Sequence, residues 1–220
     1  MSRQRCEGCD RPIAVCLCDA WVSLVSPVKV VILQHPSERK QALATVPLLQ
    51  HCLSPLAVWS GEDFSQQPQI TQWLADPAGV RVLFPAPAAE PWLCSASETG
   101  HENLVPVYQS ANIHTLIVLD GTWRKAKRIW HLNPWLQALP CACLEGLPES
   151  DYRIRASQIE GGVSTLEAVV AALNFLTDDA SGCGRFDPLK QPFRAMIDLQ
   201  IKKMGIDVFN AHYGCTDESR

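Results

Sequence analysis

Short apolar runs rich in β-branched residues alternate along this chain with segments of helical periodicity. The clearest run, at 28–33, reads VKVVIL and lies between Pro27 and the polar sequence QHP. A strand that is buried on both faces reads as a near-continuous apolar run, which is typical of a parallel sheet covered by helices. We therefore predict an α/β fold with a mostly parallel sheet, whose functional groups lie at the carboxyl ends of the strands.

The other elements follow from the same pattern. Further strands are predicted at 56–59, 80–84, 115–119 and 142–144, and helices near 66–75, 123–132, 164–176 and 191–204. Ser37 is expected to cap another helix that reaches to about residue 52 and that Pro47 would kink or interrupt. The stretch 85–103, which is rich in Pro, Ala and Ser, is predicted to be a long surface loop.

Bulk properties limit the classes of protein to which the chain can belong. Of its 220 residues, 47% are hydrophobic and 19% are charged, a balance typical of a folded globular protein. It has no apolar run near the roughly 20 residues that span a bilayer, and its first residues lack the apolar core of a signal peptide. We therefore expect a cytoplasmic protein without a membrane association.

Four cysteines are clustered near the amino terminus with the spacing Cys6-x2-Cys9-x6-Cys16-x-Cys18. Two closely spaced pairs joined by a short turn can supply the four thiolates of a tetrahedral zinc site. Because protein ligands would fill every position, such a site is structural or contacts RNA, and is not catalytic. The alternatives are free thiols or a redox pair, although a redox pair usually opens a helix beside a strand and polar sequence flanks these cysteines.

A second motif follows the predicted strand at 115–119. Asp120 comes directly after this strand, where open α/β sheets keep their functional groups. Gly121 permits a sharp turn, and Thr122 can cap the helix that follows. The sequence leaves two interpretations of Asp120, a functional carboxylate or a helix cap.

The predicted helix at 123–132 has two unlike faces on a wheel of about 100° per residue. The apolar face contains Trp123, Ala126, Ile129 and Trp130, and the positive face contains Arg124, Lys127, Arg128 and His131. Such a positive face can neutralise the phosphates of a nucleic acid, but a basic helix face is more often only solvated. The formal net charge of -4 does not exclude a local basic surface.

A third segment opens the predicted helix at 164–176. Ser164-x-x-Glu167 has the form of a capping box, in which two backbone N–H groups at the helix start are bonded reciprocally. Gly161 and Gly162 precede it, and a glycine loop at a helix start lets a ligand approach free N–H groups. A structural and a ligand-binding interpretation are both open.

Five sequence elements in this order resemble the DTW-domain family. They are the four cysteines, His35-Pro-Ser-Glu38, Asp120-Gly-Thr-Trp123 followed by Asn133-Pro134, Tyr152-Arg-Ile-Arg155, and Ser164-Thr-Leu-Glu-Ala168. Each is weak alone, but together they cover about residues 6–176.

The resemblance implies a SPOUT-like α/β sheet with a C-terminal knot. Bacterial members of the family are similar to tRNA-uridine aminocarboxypropyltransferases. These enzymes move the 3-amino-3-carboxypropyl group of S-adenosylmethionine to ring nitrogen 3 of a uridine in tRNA and release methylthioadenosine. On this basis we expect a transferase of that class, with tRNA and S-adenosylmethionine as its partners.

Roles for individual residues follow from the resemblance. Asp120 is expected to act as the base or as a proton relay, and the four cysteines to bind zinc. Donor binding is expected of Trp123, Leu144, Tyr152, Ser164 and Thr165, with stacking on the target base as the alternative for Trp123. RNA binding is expected of Arg124, Lys127 and Arg128.

The expected organisation is a zinc-binding segment at 1–22, a catalytic domain at 23–212 and a frayed tail at 213–220, in a chain for which a monomer is favoured. Two other functions stay open. One is a SPOUT-type RNA methyltransferase that uses the same donor, and the other is a non-catalytic zinc-containing RNA-binding protein.

Overall fold

The computed structural model describes residues 4–9, 11–94, 112–154, 162–177 and 184–213. The strands are β1 Leu24–Gln34, β2 Leu53–Ser60, β3 Val80–Leu83, β4 Glu90–Leu93, β5 Thr115–Asp120 and β6 Cys141–Glu145. The helices are α1 Val46–Cys52, α2 Gln69–Ala75, α3 Trp123–Leu132, α4 Thr165–Thr177, α5 Lys190–Met204 and α6 Ile206–Tyr213. No helix in these ranges is both long and apolar enough to cross a membrane.

The six strands form one sheet in the order β2-β1-β5-β3-β6-β4, and every neighbouring pair is parallel. Strand β2 lies on one side of β1, and β3 lies on the other side of it. Strand β5 is inserted between β1 and β3. The strand order therefore reverses around β1 and β5, where open α/β sheets form a crevice at their carboxyl ends. The register places Gln34 beside Asp120, so both strands end at the same level.

Alternation of side chains along the strands divides the core into two layers. In β1, Val30 and Ile32 pack in the layer formed by α1, α4 and α5. Val31 and Leu33 pack on the opposite face, in the layer formed by α2 and α3. Every residue of β5 is buried, because helices cover this central strand on both faces.

The predicted α/β fold with a mostly parallel sheet is confirmed. The predicted loop at 85–103 is wrong in part, because residues Glu90–Leu93 form β4, which pairs with β6. Pro91 obscured this strand in the sequence, but β4 lies at the edge of the sheet, where a proline is tolerated. Residues 95–103 of the predicted loop lie outside the described residues.

The single helix predicted from Ser37 to about residue 52 is also wrong. The structure has a short 3-10 turn, Glu38–Lys40, and then α1, which begins at Val46. Pro47 lies in the first turn of α1, where its missing N–H needs no partner, so it starts this helix and does not kink it. The predicted tail after Tyr213 lies outside the described residues, and the C-terminal knot stays a prediction.

Candidate active site

Asp120 ends β5 on the face of the sheet that α4 covers. Its side chain follows the alternation of Leu116 and Val118, which both pack in the α4 layer. Helix α4 begins at Thr165. The carboxylate therefore lies where the ends of β1 and β5 meet the start of α4, and Asp120 is only 8% exposed.

Both carboxylate oxygens of Asp120 accept hydrogen bonds. Gln34 Nε2 donates to Oδ2 at 2.9 Å, and Thr165 Oγ1 donates to Oδ1. These two bonds tie the carboxylate to β1 and to the start of α4. The helix-cap interpretation of Asp120 is wrong, because the N-cap of α3 is Thr122, whose own side chain makes no capping bond.

The predicted capping box at the start of α4 is confirmed. The N–H of Ser164 donates to Glu167 Oε2 at 2.7 Å, and the N–H of Glu167 donates to Ser164 Oγ at 3.2 Å. Glu167 also accepts bonds from the Ser150 hydroxyl at 2.8 Å and from the Asp151 N–H at 2.7 Å. This one carboxylate therefore holds the loop after β6 against the helix start that faces Asp120.

Tyr152 lies in the loop that Glu167 holds. Its hydroxyl donates to the backbone carbonyl of Leu43 at 2.8 Å, and its ring meets Phe193 edge-on with the ring centroids 5.3 Å apart. These contacts join the loop to α5 and to the segment before α1. Residue 155, the last of the Tyr152-Arg-Ile-Arg motif, lies outside the described residues.

The other residues predicted to bind the donor are divided among three elements. Ser164 and Thr165 lie at the start of α4, beside Asp120. Leu144 lies on β6, which β3 separates from β5, and is partly buried in the α4 layer. Trp123 begins α3 on the opposite face of the sheet. The prediction that Trp123 lies on the buried face of α3 is wrong, because this residue is 38% exposed. Its ring lies 6.2 Å from the ring of Phe84, measured between centroids.

The remaining assignment of the faces of α3 is confirmed. Ala126, Ile129 and Trp130 are buried against the sheet. Arg124 and Lys127 are exposed, and neither has an ion-pair partner within the described ranges. The reason that Trp123 differs is its place in the first turn, at the end of the helix, where little of the core remains to cover it.

Two cations of α3 are held by carboxylates from other elements. Lys125 Nζ lies 2.6 Å from Glu38 Oε1, in the 3-10 turn after β1. Arg128 Nε lies 2.8 Å from Glu62 Oε2, in the loop after β2. Of the three cations predicted to bind RNA, Arg128 is thus already engaged by the protein itself.

Glu62 was not found from the sequence, and it connects two of the motifs. Its Oε1 lies 2.8 Å from His35 Nε2. The Ser37 N–H donates to His35 Nδ1, and Nε2 is the ring nitrogen that faces Glu62. Hydrogen bonds from Arg128 and His35 lower the pKa of Glu62, which stays ionised. Its place just after β2, at the carboxyl edge of the sheet, is the signal that could have identified it.

Asn133 fixes the loop that carries Glu62. This side chain is completely buried, and its Nδ2 donates to the carbonyls of Glu62 at 2.8 Å and Ile129 at 2.7 Å. Its Oδ1 accepts bonds from the Phe64 N–H at 2.7 Å and from Trp135 Nε1 at 3.1 Å. The asparagine after the Asp-Gly-Thr-Trp helix is therefore a structural clamp between α3 and the loop after β2.

The four clustered cysteines converge, with their Sγ atoms all within 4.8 Å of one another. Cys6 Sγ lies 3.5 Å from Cys18 and 3.4 Å from Cys16, and Cys9 lies 3.8 Å from Cys16. A tetrahedral zinc with Zn–S bonds near 2.3 Å separates its sulfurs by about 3.8 Å, so the dimensions of the cluster fit one such ion.

The thiols of this cluster are electrostatically unequal. A hydrogen bond from the Gly8 backbone, with smaller contributions from Cys16 and Cys9, lowers the pKa of Cys6 to about 6. The neighbouring thiols of Cys16 and Cys6 raise the pKa of Cys18 to about 12. Thiolates this close repel one another, and a cation among them removes that penalty.

Two surface cavities border the cysteine segment. One, of about 380 Å³, lies between this segment and α5 and is lined by residues that include Leu17, Ala195 and Leu199. The other, of about 410 Å³, is lined by residues between Gln4 and Cys16. Neither is lined by Asp120.

A family model described as DTW domain matches residues 3–201 of the chain. The chain belongs to the DTW-domain family. The resemblance drawn from the five motifs is thereby confirmed. The match also includes the cysteine segment, all six strands of the sheet and helices α1 to α4.

Curated relatives of this DTW protein bear aminocarboxypropyltransferase names. tRNA-uridine aminocarboxypropyltransferase 2 of Drosophila melanogaster is 35% identical over 180 residues, covering 79% of this chain and 67% of that protein. The Mus musculus protein of the same name is 31% identical over 210 residues, covering 91% and 64% respectively. tRNA-uridine aminocarboxypropyltransferase A of Arabidopsis thaliana is 29% identical over 219 residues, covering 91% and 82%.

The chain spans about two thirds of the length of these animal relatives. No solved structure matches it at a significant level.

Replacing Asn133 tests the clamp. Asn133→Ala removes four hydrogen bonds and leaves the Phe64 N–H without its partner, which should lower the free energy of unfolding by about 2–4 kcal/mol. Urea unfolding followed by circular dichroism measures this loss. Gln137→Ala, an exposed position in the neighbouring 3-10 turn, should change it by no more than about 0.5 kcal/mol. Equal effects of the two changes would contradict the clamp.

Proposed function

We propose that this DTW protein transfers the 3-amino-3-carboxypropyl group of S-adenosylmethionine to ring nitrogen 3 of a uridine in tRNA. Membership of the DTW family, together with relatives named tRNA-uridine aminocarboxypropyltransferase, carries this proposal. The geometry supports it with a carboxylate at the strand-order reversal of a parallel sheet and exposed cations on the helix that follows.

The reaction forms one bond and breaks one. Uridine N3 attacks the γ-carbon of the donor, the N–C bond forms, and the bond from that carbon to the sulfonium sulfur breaks. The sulfur keeps the electron pair and leaves in neutral methylthioadenosine, while the N3 proton passes to a base. The imide is a weak nucleophile until it loses this proton, so the protein has to supply a proton acceptor and an alignment.

Asp120 is the proton acceptor or relay in this proposal. Gln34 and Thr165 fix its carboxylate between the central strands and α4, which limits the positions from which the uridine can reach it. In this proposal the carboxylate takes the imide proton directly or through a water that carries it.

The donor lies, in this proposal, between the start of α4 and the loop after β6. Ser164 and Thr165 belong to the first element and Leu144 and Tyr152 border the second, and Glu167 holds the two elements together. Trp123 lies on the other side of β5 with a partly exposed ring, and we assign it to stacking with the target base instead of the donor.

The cysteine cluster holds zinc as a structural ion. Cys6, Cys9, Cys16 and Cys18 fill all four positions of a tetrahedral site, which leaves none for substrate. When bound, the ion balances the thiolate charge and ties the segment into a fixed loop. Leu17, between two of the ligands, is buried in the same core layer as α5 and attaches this loop to the domain.

We infer a SPOUT-like domain with a C-terminal knot at 23–212, preceded by a zinc-binding segment at 1–22 and followed by a tail at 213–220. The protein acts on tRNA as a monomer in the cytoplasm.

Removing the carboxylate of Asp120 tests the mechanism. Asp120→Asn keeps the shape and the bond to Thr165 but not the basicity, so modification should fall at least ~100-fold. Mass spectrometry of nucleosides from a tRNA incubated with the protein and donor measures the product. Asp207→Asn, an exposed carboxylate on α6, should retain full activity. Activity of Asp120→Asn within tenfold of the unsubstituted protein would exclude the base assignment.

The same mass spectra separate the rival functions. A methyltransferase adds a methyl group to the nucleoside, whereas this reaction adds the much heavier aminocarboxypropyl group. A non-catalytic RNA-binding protein yields no modified nucleoside and does not bind S-adenosylmethionine in calorimetry.

The zinc assignment is tested by metal content. The purified chain should contain about one zinc, and Cys9→Ser should lose it because a buried sulfur ligand is replaced. Elemental mass spectrometry measures the ratio of zinc to protein. Cys143→Ser, at a thiol outside the cluster, should keep the full zinc content. Equal zinc in the two variants would contradict the site.

A further inference from the structure

The 3-10 turn Glu38–Lys40 lies directly against the first turn of α3. The ion pair between Glu38 and Lys125, at 2.6 Å, joins them, and the His35 N–H donates to the Asp120 carbonyl at 3.0 Å. Gly121 completes the junction, since a Cβ there would lie 2.9 Å from Lys125 Cβ and 3.6 Å from His35 Cβ. Elements distant in sequence thus form one surface at the carboxyl edge of β1 and β5.

Four exposed cations lie on the two elements that meet at this junction, and we call them the edge cations: Arg39 and Lys40 of the turn, and Arg124 and Lys127 of α3. None of the four has an ion-pair partner within the part of the chain that the structure describes. Glu38 is paired with Lys125, and Glu62 is paired with Arg128 and hydrogen-bonded to His35. Among the described residues, these two carboxylates are thus engaged by cations other than the four edge cations.

We propose that the edge cations together form the phosphate-binding surface for the tRNA backbone, so that Arg39 and Lys40 contact RNA as well as α3. This inference rests on the proposed function and deepens it. It adds two residues from outside α3 and removes Arg128, whose guanidinium Glu62 already holds.

Position and charge favour this assignment over a merely solvated surface. The Glu38–Lys125 pair holds the turn that carries Arg39 and Lys40 against the helix that carries Arg124 and Lys127, at the edge of the sheet where β1 and β5 end. Contacts to phosphate set the register of a nucleic acid without reading its sequence, which is what delivery of one uridine requires. In a chain with a net charge of -4, a local positive surface also orients the incoming polyanion.

The chain offers a matched control for the test. Lys202 and Lys203, in the last turn of α5, are also adjacent, exposed and without an ion-pair partner among the described residues. Substituting this pair removes the same charge on α5, where Lys202 lines the cavity beside the cysteine segment. A difference between the two double variants therefore reports on position and not on net charge.

The experiment measures binding of a labelled tRNA transcript by fluorescence anisotropy between 50 and 200 mM KCl. In Arg39→Ala/Lys40→Ala, affinity at the highest salt should fall about three- to tenfold, and the slope of log K against log salt should decrease by about 1–2, one contact for each cation. Arg124→Ala/Lys127→Ala should give a similar loss, and in the fourfold variant the two decreases in slope should add. Lys202→Ala/Lys203→Ala should keep the original slope.

Failure of this inference can be distinguished from failure of the proposed function. A normal slope for Arg39→Ala/Lys40→Ala beside a reduced slope for Arg124→Ala/Lys127→Ala overturns the two-element surface and leaves the enzyme proposal intact. Equal losses of tRNA affinity in Arg39→Ala/Lys40→Ala and Lys202→Ala/Lys203→Ala also overturn it, because net charge alone then explains binding. Absence of tRNA binding and of nucleoside modification by the unsubstituted protein overturns both. An unchanged midpoint temperature of thermal unfolding shows that each variant is folded.

Discussion

The buried carboxylate of Asp120 holds together the region on which the rest of the candidate site depends. It joins the end of β1 through Gln34 and the start of α4 through Thr165, while its own strand is buried on both faces. Burying a carboxylate without hydrogen-bond partners raises the free energy of the folded state. Arrangements of β1, β5 and α4 that break these bonds are therefore unfavourable. The same contacts that stabilise the junction also limit the directions from which a substrate proton can approach.

Two further carboxylates arrange the surface around this junction. Glu38 and Glu62 follow β1 and β2, and each engages one cation of α3. Exposed ion pairs contribute little to stability on average, but here they fix loops whose backbone is also held by Asn133 and by the His35–Asp120 bond. These pairs engage Lys125 and Arg128 within the protein. Arg124 and Lys127 have no ion-pair partner among the described residues, and the proposal assigns them to phosphate.

The cysteine segment is attached to the layer of the domain that contains α4 and α5, on the opposite face of the sheet from α3. Its sulfurs converge to the dimensions of one tetrahedral ion, and Leu17 is buried beside α5. The proposed chemistry occurs at the edge of β1 and β5, whereas the cavities next to the cysteines do not include Asp120. Metal and catalysis are thus assigned to separate parts of the chain, in agreement with a closed four-cysteine site.

The sequence by itself determined the local features: the alternation of strands and helices, the position of Asp120 at a strand end, the capping box of Ser164 and Glu167, and the cysteine cluster. These features depend on periodicity and short spacing, which neighbouring residues encode. Only the tertiary structure decided that Asp120 meets Gln34 and Thr165, 86 and 45 residues away, and that Arg128 is held by Glu62. Those contacts depend on the insertion of β5 between β1 and β3, and strand order is a property of the whole sheet that no local pattern specifies.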